Sequence, residues 1–161
     1  MKIGYFFRLL RSLVPSLIFC FHYLPFRQAV KLPILVYKPH FLNLKGKLRI
    51  ENENIRCGMI RLGFLAVKAY PDTGISWSNE GEIIFKGKCI IGASSFVVCG
   101  LQGKIVFGDD FKATSSLHLV SICCIEFGGK NWVGWDPTIL QQTSIMKLKP
   151  ISNTIYKTIR N

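Results

Sequence analysis

Apolar residues recur every six positions through the second half of the chain. In residues 127–139, two six-residue units run head to tail, and each opens with a large apolar residue followed by glycine. A six-residue period with an inward apolar side chain and a turn-permitting small residue is typical of a chain that bends around a narrow core. The other six-spaced apolar positions are Ile91 and Val97, and then Phe107, Ala113, Leu119 and Ile125.

The spacing of the apolar–glycine pairs predicts the length of one turn of such a solenoid. The pairs that begin at Ile91, Phe107 and Phe127 are 16 and 20 residues apart, which averages to three six-residue units. A coil with three flat faces of six residues would have that length, with corners of slightly different size. An ordinary β-sandwich with glycine turns is the alternative.

Strand-like segments share one outline along the chain. Residues 44–51 alternate between apolar and polar side chains, as half-buried strands do, and the outline returns in residues 85–92 and 101–108. A weaker copy occupies residues 124–128, and a short β-prone run precedes them all at 32–37. The period is lost between residues 65 and 81, which we interpret as an insertion loop that projects from a coil.

Residues 1–26 follow a different pattern. Apolar residues at three-to-four spacing, with Lys2, Arg8 and Arg11 between them, predict an amphipathic helical segment. Its charge-free part, residues 12–26, is too short to cross a bilayer. The segment either packs as a lid on the main domain, which we favour, or makes peripheral membrane contact with its arginines toward the head groups.

Composition narrows the class of protein. A chain of 161 residues with 49% hydrophobic residues supports one folded domain and excludes disorder. The 21 basic residues outnumber the 9 acidic ones, which suits an anionic partner, but they are scattered singly. No RRM or helix-turn-helix outline accompanies them, so we expect no nucleic acid partner.

The six cysteines predict neither a disulfide framework nor a metal site. No C-x-x-C pair occurs, and no cysteine or histidine cluster has the spacing of a zinc site. The adjacent pair Cys123 and Cys124 lies in an apolar run, which is typical of reduced core cysteines. We therefore expect a cytoplasmic protein, associated with the membrane if residues 1–26 contact lipid.

The combined pattern resembles the bacterial hexapeptide-repeat acyltransferases, and more narrowly the sugar and surface-polysaccharide O-acetyltransferases. The resemblance implies a left-handed parallel β-helix of triangular coils, an all-β solenoid, over residues 27–161. It also implies a homotrimer with acetyl-CoA as acyl donor and a sugar or polysaccharide precursor as acceptor. Family members continue with further glycine-led hexads, so this domain is predicted to be incomplete at its C-terminus. The segments that carry the resemblance are residues 24–26, 31–34, 58–64, 79–81 and 127–139.

The resemblance also places a catalytic segment on this sequence. In the family, a histidine that acts as general base follows a Trp-Asp-led hexad, and Trp135 and Asp136 match that hexad as substrate-binding residues. Met146 stands where the histidine should be, and methionine cannot accept a proton at neutral pH. His118 is the remaining candidate within the repeat, although a lone histidine is more often structural or simply exposed. Cys99 and Cys123 are weaker candidates still, as nucleophiles, because no histidine lies near them in sequence and their surroundings are apolar.

Two functions follow from these observations. The first is an acyltransferase-family protein that transfers an acetyl group from acetyl-CoA to a sugar hydroxyl in surface-polysaccharide synthesis. In that case the missing histidine predicts a chain that is inactive or truncated at its catalytic segment. The second is a non-catalytic β-solenoid that serves as a binding or assembly module.

Overall fold

The computed structural model describes residues 3–65, 71–141 and 146–148, with side chains for residues 7–65 and 71–141. Two helices precede fifteen short strands. The helices are α1 (Ile3–Tyr23) and α2 (Phe26–Ala29). The strands are β1 (Ile34–Val36), β2 (Pro39–Asn43), β3 (Lys47–Ile50), β4 (Ile60–Phe64), β5 (Ile75–Asn79), β6 (Glu82–Phe85), β7 (Cys89–Gly92), β8 (Ser95–Cys99), β9 (Lys104–Phe107), β10 (Phe111–Ser115), β11 (His118–Ser121), β12 (Cys124–Phe127), β13 (Trp132–Trp135), β14 (Thr138–Gln141) and β15 (Met146–Leu148).

Every third strand joins the same parallel sheet. Sheet A has the order β1-β4-β7-β10-β13, sheet B has β14-β11-β8-β5-β2, and sheet C has β15-β12-β9-β6-β3. Three consecutive strands therefore make one coil with three faces, and five coils stack along one axis. The predicted all-β solenoid of triangular coils with an N-terminal helical segment is confirmed.

The coils are longer than the predicted eighteen residues. Phe96 pairs with His118, 22 positions on, and His118 pairs with Thr138, 20 positions on. The prediction averaged unlike positions, because Ile91 lies in sheet A whereas Phe107 and Phe127 lie in sheet C. In the third to fifth coils, strands of three to five residues joined by corners of two to four residues account for the observed length. The first two coils are longer, because nine positions separate β3 from β4 and ten separate β4 from β5.

The six-spaced apolar residues do point inward, as predicted. Phe107, Ala113, Leu119 and Ile125 occupy sheets C, A, B and C in turn, and all four are buried. A step of six residues therefore moves the chain from one face of the solenoid to the next. The extra residues of each coil are accommodated at the corners.

A stack of phenylalanines forms the centre of the core on sheet C. The rings of Phe85 and Phe127 lie parallel above and below the ring of Phe107, with centroids 5.1 and 5.5 Å away. Phe111 from sheet A meets Phe107 at 4.9 Å and Phe127 at 4.7 Å. All four side chains are buried, so this cluster ties the middle coils together.

The corner between sheets A and B contains a left-handed residue in every coil. Its φ is positive at Lys38, Gly74, Ser94, Ser116 and Asp136 in the first to fifth coils. Only the second coil uses glycine here, and a Cβ at Gly74 would come within 2.1 Å of the Lys38 carbonyl oxygen. A left-handed residue thus recurs at this corner in all five coils.

Two further interpretations of the sequence were wrong, one of them only in part. The segment interpreted as an insertion loop does include ten positions between β4 and β5, where the other coils have two. Its second half, however, contains β5, whose inward Trp77 is the largest fully buried side chain. Its polar serines face outward, so the strand appears polar in sequence. The repeat copy at residues 85–92 spans the end of β6 and all of β7, on two different sheets. It is therefore not equivalent to the copies at 44–51 and 101–108, which both lie on sheet C.

Helix α1 covers the end of the solenoid at which β1, β2 and β3 are edge strands. Ser16 Oγ accepts a hydrogen bond from the Val36 backbone N–H at 2.8 Å. His22 Nε2 donates to the Leu44 carbonyl oxygen at 2.9 Å. Between them, the Phe19 ring stacks on Phe41, with centroids 5.4 Å apart. The helix therefore buries the first coil and satisfies part of its open backbone edge.

The helix runs through Pro15 without a break. It contains 21 residues, yet no helix in the described part of the chain is long and apolar enough to cross a membrane.

Candidate functional site

The sheet A–sheet B corner of the last two coils brings together the residues predicted for the site. Trp135 ends β13, Asp136 is the left-handed corner residue, and Thr138 opens β14 beside His118 of the preceding coil. The His118 backbone N–H donates to the Pro137 carbonyl oxygen at 2.9 Å. Adjacent parallel strands lie about 4.8 Å apart, so His118 is one strand away from the residue two positions after Asp136.

His118 belongs to a row of outward side chains that crosses sheet B. Register places His40, Ser76, Phe96, His118 and Thr138 side by side, one from each coil. His118 and Thr138 are exposed, whereas Phe96 is half-buried. The imidazole of His118 is thus open to a ligand approaching this face.

The next outward row of sheet B is apolar at its C-terminal end. Val98 pairs with Val120, and Val120 pairs with Leu140, which is 57% exposed. With Phe96 of the first row, these side chains form an apolar strip directly beside His118. Such a strip on an outer sheet face suits contact with another surface.

The three histidines have different environments. His22 is held by the Leu44 carbonyl as part of the helix cap. His40 is exposed in the first coil, in the same row as His118 but three strands away. His118 alone adjoins the corner that carries Asp136.

Met146 lies on a different face of the solenoid from His118. It opens β15 and pairs with Ile125 in sheet C, whereas His118 is in sheet B. Residues 142–145, which belong with Met146 to the segment that the resemblance predicts to be catalytic, lie outside the described residues, and so does the Met146 side chain. The structure therefore gives only the backbone position of Met146, and the prediction that it replaces a catalytic histidine stays a prediction.

Three of the six cysteines, Cys20, Cys89 and Cys99, are poor nucleophiles in this fold. All six are free. Burial raises the pKa of Cys99 to about 11, and it also raises the pKa of Cys20 and Cys89. A thiol with a raised pKa stays protonated at neutral pH, which is unsuited to nucleophilic attack. In residues 3–65, 71–141 and 146–148, no group of three His, Cys, Asp or Glu side chains is placed to hold a metal ion.

A charged depression lies at the opposite edge of sheet B, where the chain turns into sheet C. Its volume is about 460 Å³, and Lys45, Glu80, Glu82 and Lys104 contribute to its lining. Glu82 forms ion pairs with Arg49 and with Lys104, the second at 3.3 Å. Burial acts to raise the pKa of Glu82, but the hydrogen bonds and charges of Arg49 and Lys104 outweigh it and lower that pKa.

The sequence alone does not reveal that Lys47, Glu82 and Lys104 form a row of charged side chains on sheet C. The usable signal was a glycine followed by a charged residue at positions 46–47, 81–82 and 103–104, which begins β3, β6 and β9. Register then places the three charges side by side on sheet C. Without knowledge of the register, Lys47, Glu82 and Lys104 look like separate surface residues.

The ion pairs of Glu82 predict a dependence of stability on pH. Because its pKa is lower in the folded chain than the usual 4.5, Glu82 stabilises the fold above that pH, and the contribution disappears as pH falls through the lowered pKa. We expect Glu82→Gln to remove about 1 kcal/mol or less at neutral pH. Chemical denaturation at neutral and at acid pH should show a smaller acid-induced loss in Glu82→Gln than in the wild type. Exposed Glu53→Gln is the control, and equal pH dependence in Glu82→Gln and the wild type would contradict the prediction.

Comparisons with protein-family models, with curated protein sequences and with solved structures found no match for this chain.

Proposed function

We propose that the chain is an acyltransferase-family protein that transfers an acetyl group from acetyl-CoA to a sugar hydroxyl, with His118 as the general base. One observation carries the proposal. In a β-solenoid of triangular coils, His118 is exposed on an outer sheet face beside the corner formed by Trp135 and Asp136. These are the residues at which the sequence resembles sugar O-acetyltransferases.

For this reaction the protein has to supply a general base and to position the acceptor hydroxyl beside the thioester. The acceptor hydroxyl oxygen attacks the thioester carbonyl carbon while the His118 imidazole takes the hydroxyl proton. A C–O bond forms, the C–S bond breaks, and the departing thiolate of CoA receives a proton. An imidazole suits this step because its usual pKa lies near neutrality. The proton would return from the imidazolium, so His118 ends the cycle as it began.

The charges around sheet A are compatible with an extended anionic donor. Lys112 is the second residue of β10, faces outward and forms an ion pair with Asp110 at 3.1 Å. Lys130 is exposed at the corner before β13. A four-residue strand spans about 13 Å, so these cations lie roughly one strand length from the His118 corner. A donor with its thioester at that corner would direct its phosphates toward the two lysines.

The apolar strip on sheet B supports a proposed homotrimer. Val120 and Leu140 lie beside His118 on the same outer face. Burial of these side chains against a second subunit would place His118 at the boundary between subunits. In the acyltransferases that the sequence resembles, the donor lies in such an intersubunit groove.

The test is an assay of free CoA released from acetyl-CoA in the presence of a panel of sugar acceptors. We expect acceptor-dependent release by the wild type and at least a hundredfold slower release by His118→Ala, because general-base catalysis typically contributes about 10²–10⁴-fold. His40→Ala is the matched control, since His40 is exposed in the same outward row. It should retain wild-type activity. The measurement is the initial rate of thiol release, with acetylated product identified by mass spectrometry.

Either of two outcomes would overturn the assignment. Full activity in His118→Ala would show that another group is the base. No acceptor-dependent release by the wild type would favour the second candidate, a non-catalytic binding or assembly module. The replacement of the family histidine by Met146 favours that alternative, and the apolar strip on sheet B would then serve assembly alone.

A further inference from the structure

Helix α1 is apolar on two opposite faces, and the solenoid covers one of them. The covered face includes Ser12, Ser16, Phe19 and Cys20, all fully buried. On the opposite side, large apolar side chains recur at spacings of three and four residues, and they continue onto α2 through a Phe21–Phe26 ring contact of 5.9 Å. We call this surface the end patch. Its members, with exposed fractions of 40–71%, are Leu10, Val14, Leu17, Ile18, Phe21, Phe26 and Val30.

An exposed apolar surface of this size calls for a partner. Isolated exposed apolar residues are common in folded proteins, but contiguous patches mark interaction sites. The end patch gains nothing from the solenoid, because the helix already uses its other face to cap the first coil. Its pattern is also regular, since residues 10, 14, 17, 18 and 21 form one helical stripe.

The charge around the patch indicates what that partner is. The first 50 residues contain nine lysines and arginines and no aspartate or glutamate, so they hold +9 of the net +12. Arg11, Arg27 and Lys31 are exposed, and each directly follows a member of the end patch in sequence. Arg8 is different, because it pairs with Asp72 at 3.5 Å.

We propose that the end patch binds the surface of an anionic lipid bilayer. Apolar side chains enter the boundary between head groups and acyl chains, and flanking cations contact the negative head groups. A second copy of the chain fits less well, because face-to-face packing of two end patches would bring their cations together. The helix would lie parallel to the bilayer surface, since its inner face is hydrogen-bonded to the edge of the first coil.

This binding mode fixes the orientation of the solenoid. Helix α1 covers the end of the coil stack. When a bilayer binds the end patch, the solenoid axis would therefore point out of the membrane plane and not lie along it. The His118 corner is in the fourth and fifth coils, toward the other end. Four coil spacings of about 4.8 Å separate the first coil from the fifth. The outer sheet faces would thus be presented just above the lipid head groups.

Vesicle cosedimentation with the full chain tests the proposal. We expect binding to phosphatidylcholine vesicles that contain a third phosphatidylglycerol and at least tenfold weaker binding to pure phosphatidylcholine. Added 0.5 M NaCl should weaken the anionic binding because the charge contribution is screened. Equal binding to both vesicle types would contradict the proposal that the partner is an anionic bilayer. No binding to either type would overturn the proposal that the end patch binds lipid.

Two double variants, each with a control substitution elsewhere on the surface, test whether lipid binds at the end patch. Val14→Glu/Ile18→Glu places two carboxylates in the patch and should weaken binding to anionic vesicles at least tenfold. Leu101→Glu, at an exposed position on a distant corner, is the matched control. Arg11→Glu/Arg27→Glu should also weaken binding, whereas Lys88→Glu should change it little. Since all these side chains are exposed, circular dichroism melts should match the wild type.

The variants also distinguish other occupants. If Val14→Glu/Ile18→Glu converts an oligomer to a monomer in sedimentation and leaves vesicle binding unchanged, the patch is an interface between copies, and the proposal is wrong. If Leu101→Glu weakens vesicle binding as much as the patch variant, binding is not located at the end patch. Neither result depends on acetyl transfer, because the assay requires no donor or acceptor.

Discussion

Replacing Phe107 with alanine is expected to lower the free energy of unfolding by about 3–5 kcal/mol. Its ring is fully buried and lies between the parallel rings of Phe85 and Phe127, with Phe111 against its side. Truncation removes the transfer free energy of the ring and leaves a cavity that the flanking strands cannot close. Each coil contacts only its neighbours, and Phe107 lies in the third of the five coils. The substitution therefore weakens the packing in the middle of the stack.

Guanidinium denaturation followed by circular dichroism measures this change. Phe26→Ala is the matched control, because Phe26 is 71% exposed in the end patch and lies outside both the core and the apolar strip on sheet B. We expect it to cost about 1 kcal/mol or less. Equal destabilisation by the two substitutions would mean that the phenylalanine stack is not the centre of the core.

Phe19→Ala is expected to have an effect of similar size, about 3–5 kcal/mol, at the capped end. Phe19 is fully buried, and its ring meets Phe41 and Trp77, with the Trp77 centroid 5.5 Å away. Without that ring, the helix loses the side chain that fixes it over the first coil. The edges of β1, β2 and β3 would then open to solvent, and open strand edges promote association.

Hydrogen exchange and light scattering together test this expectation. Exchange should accelerate most at the backbone N–H of Val36, which donates to Ser16 on α1, and scattering should rise on storage. Phe21→Ala is the matched control, because Phe21 lies on the opposite, exposed face of the same helix. Wild-type exchange at Val36 in Phe19→Ala would show that α1 does not depend on this ring.

The sequence was sufficient for the fold because the inward residues of a solenoid are periodic. Phe107, Ala113, Leu119 and Ile125 step from face to face exactly six positions at a time, so their spacing could be recognised without any knowledge of the sheets. The connections between faces vary from two positions to ten, the longest being those before β4 and β5, and no local signal fixes which connection is longer. That variation explains why the coil length was underestimated and why β5 was interpreted as a loop.

The sequence was sufficient to select candidate residues for the site, but it did not show that these residues lie close together. Trp135 and Asp136 were selected by resemblance, and His118 was selected only as the histidine within the repeat. Their proximity results from the pairing of His118 with Thr138, a contact across 20 positions that depends on the coil length. The end patch was predictable in part, since the helical spacing is visible in the sequence. The sequence did not predict which face of helix α1 the solenoid covers.

The recurring corner between sheets A and B has a consequence for how the molecule folds. Four of its five left-handed residues carry side chains, namely Lys38, Ser94, Ser116 and Asp136. Each such residue opposes its own conformation by about 1–2 kcal/mol, so the turn is imposed by the strands that pair on either side. A single coil cut from the chain would lack that pairing and would relax at this corner. The unit of cooperative folding therefore spans neighbouring coils, and the stack forms and melts as a connected series.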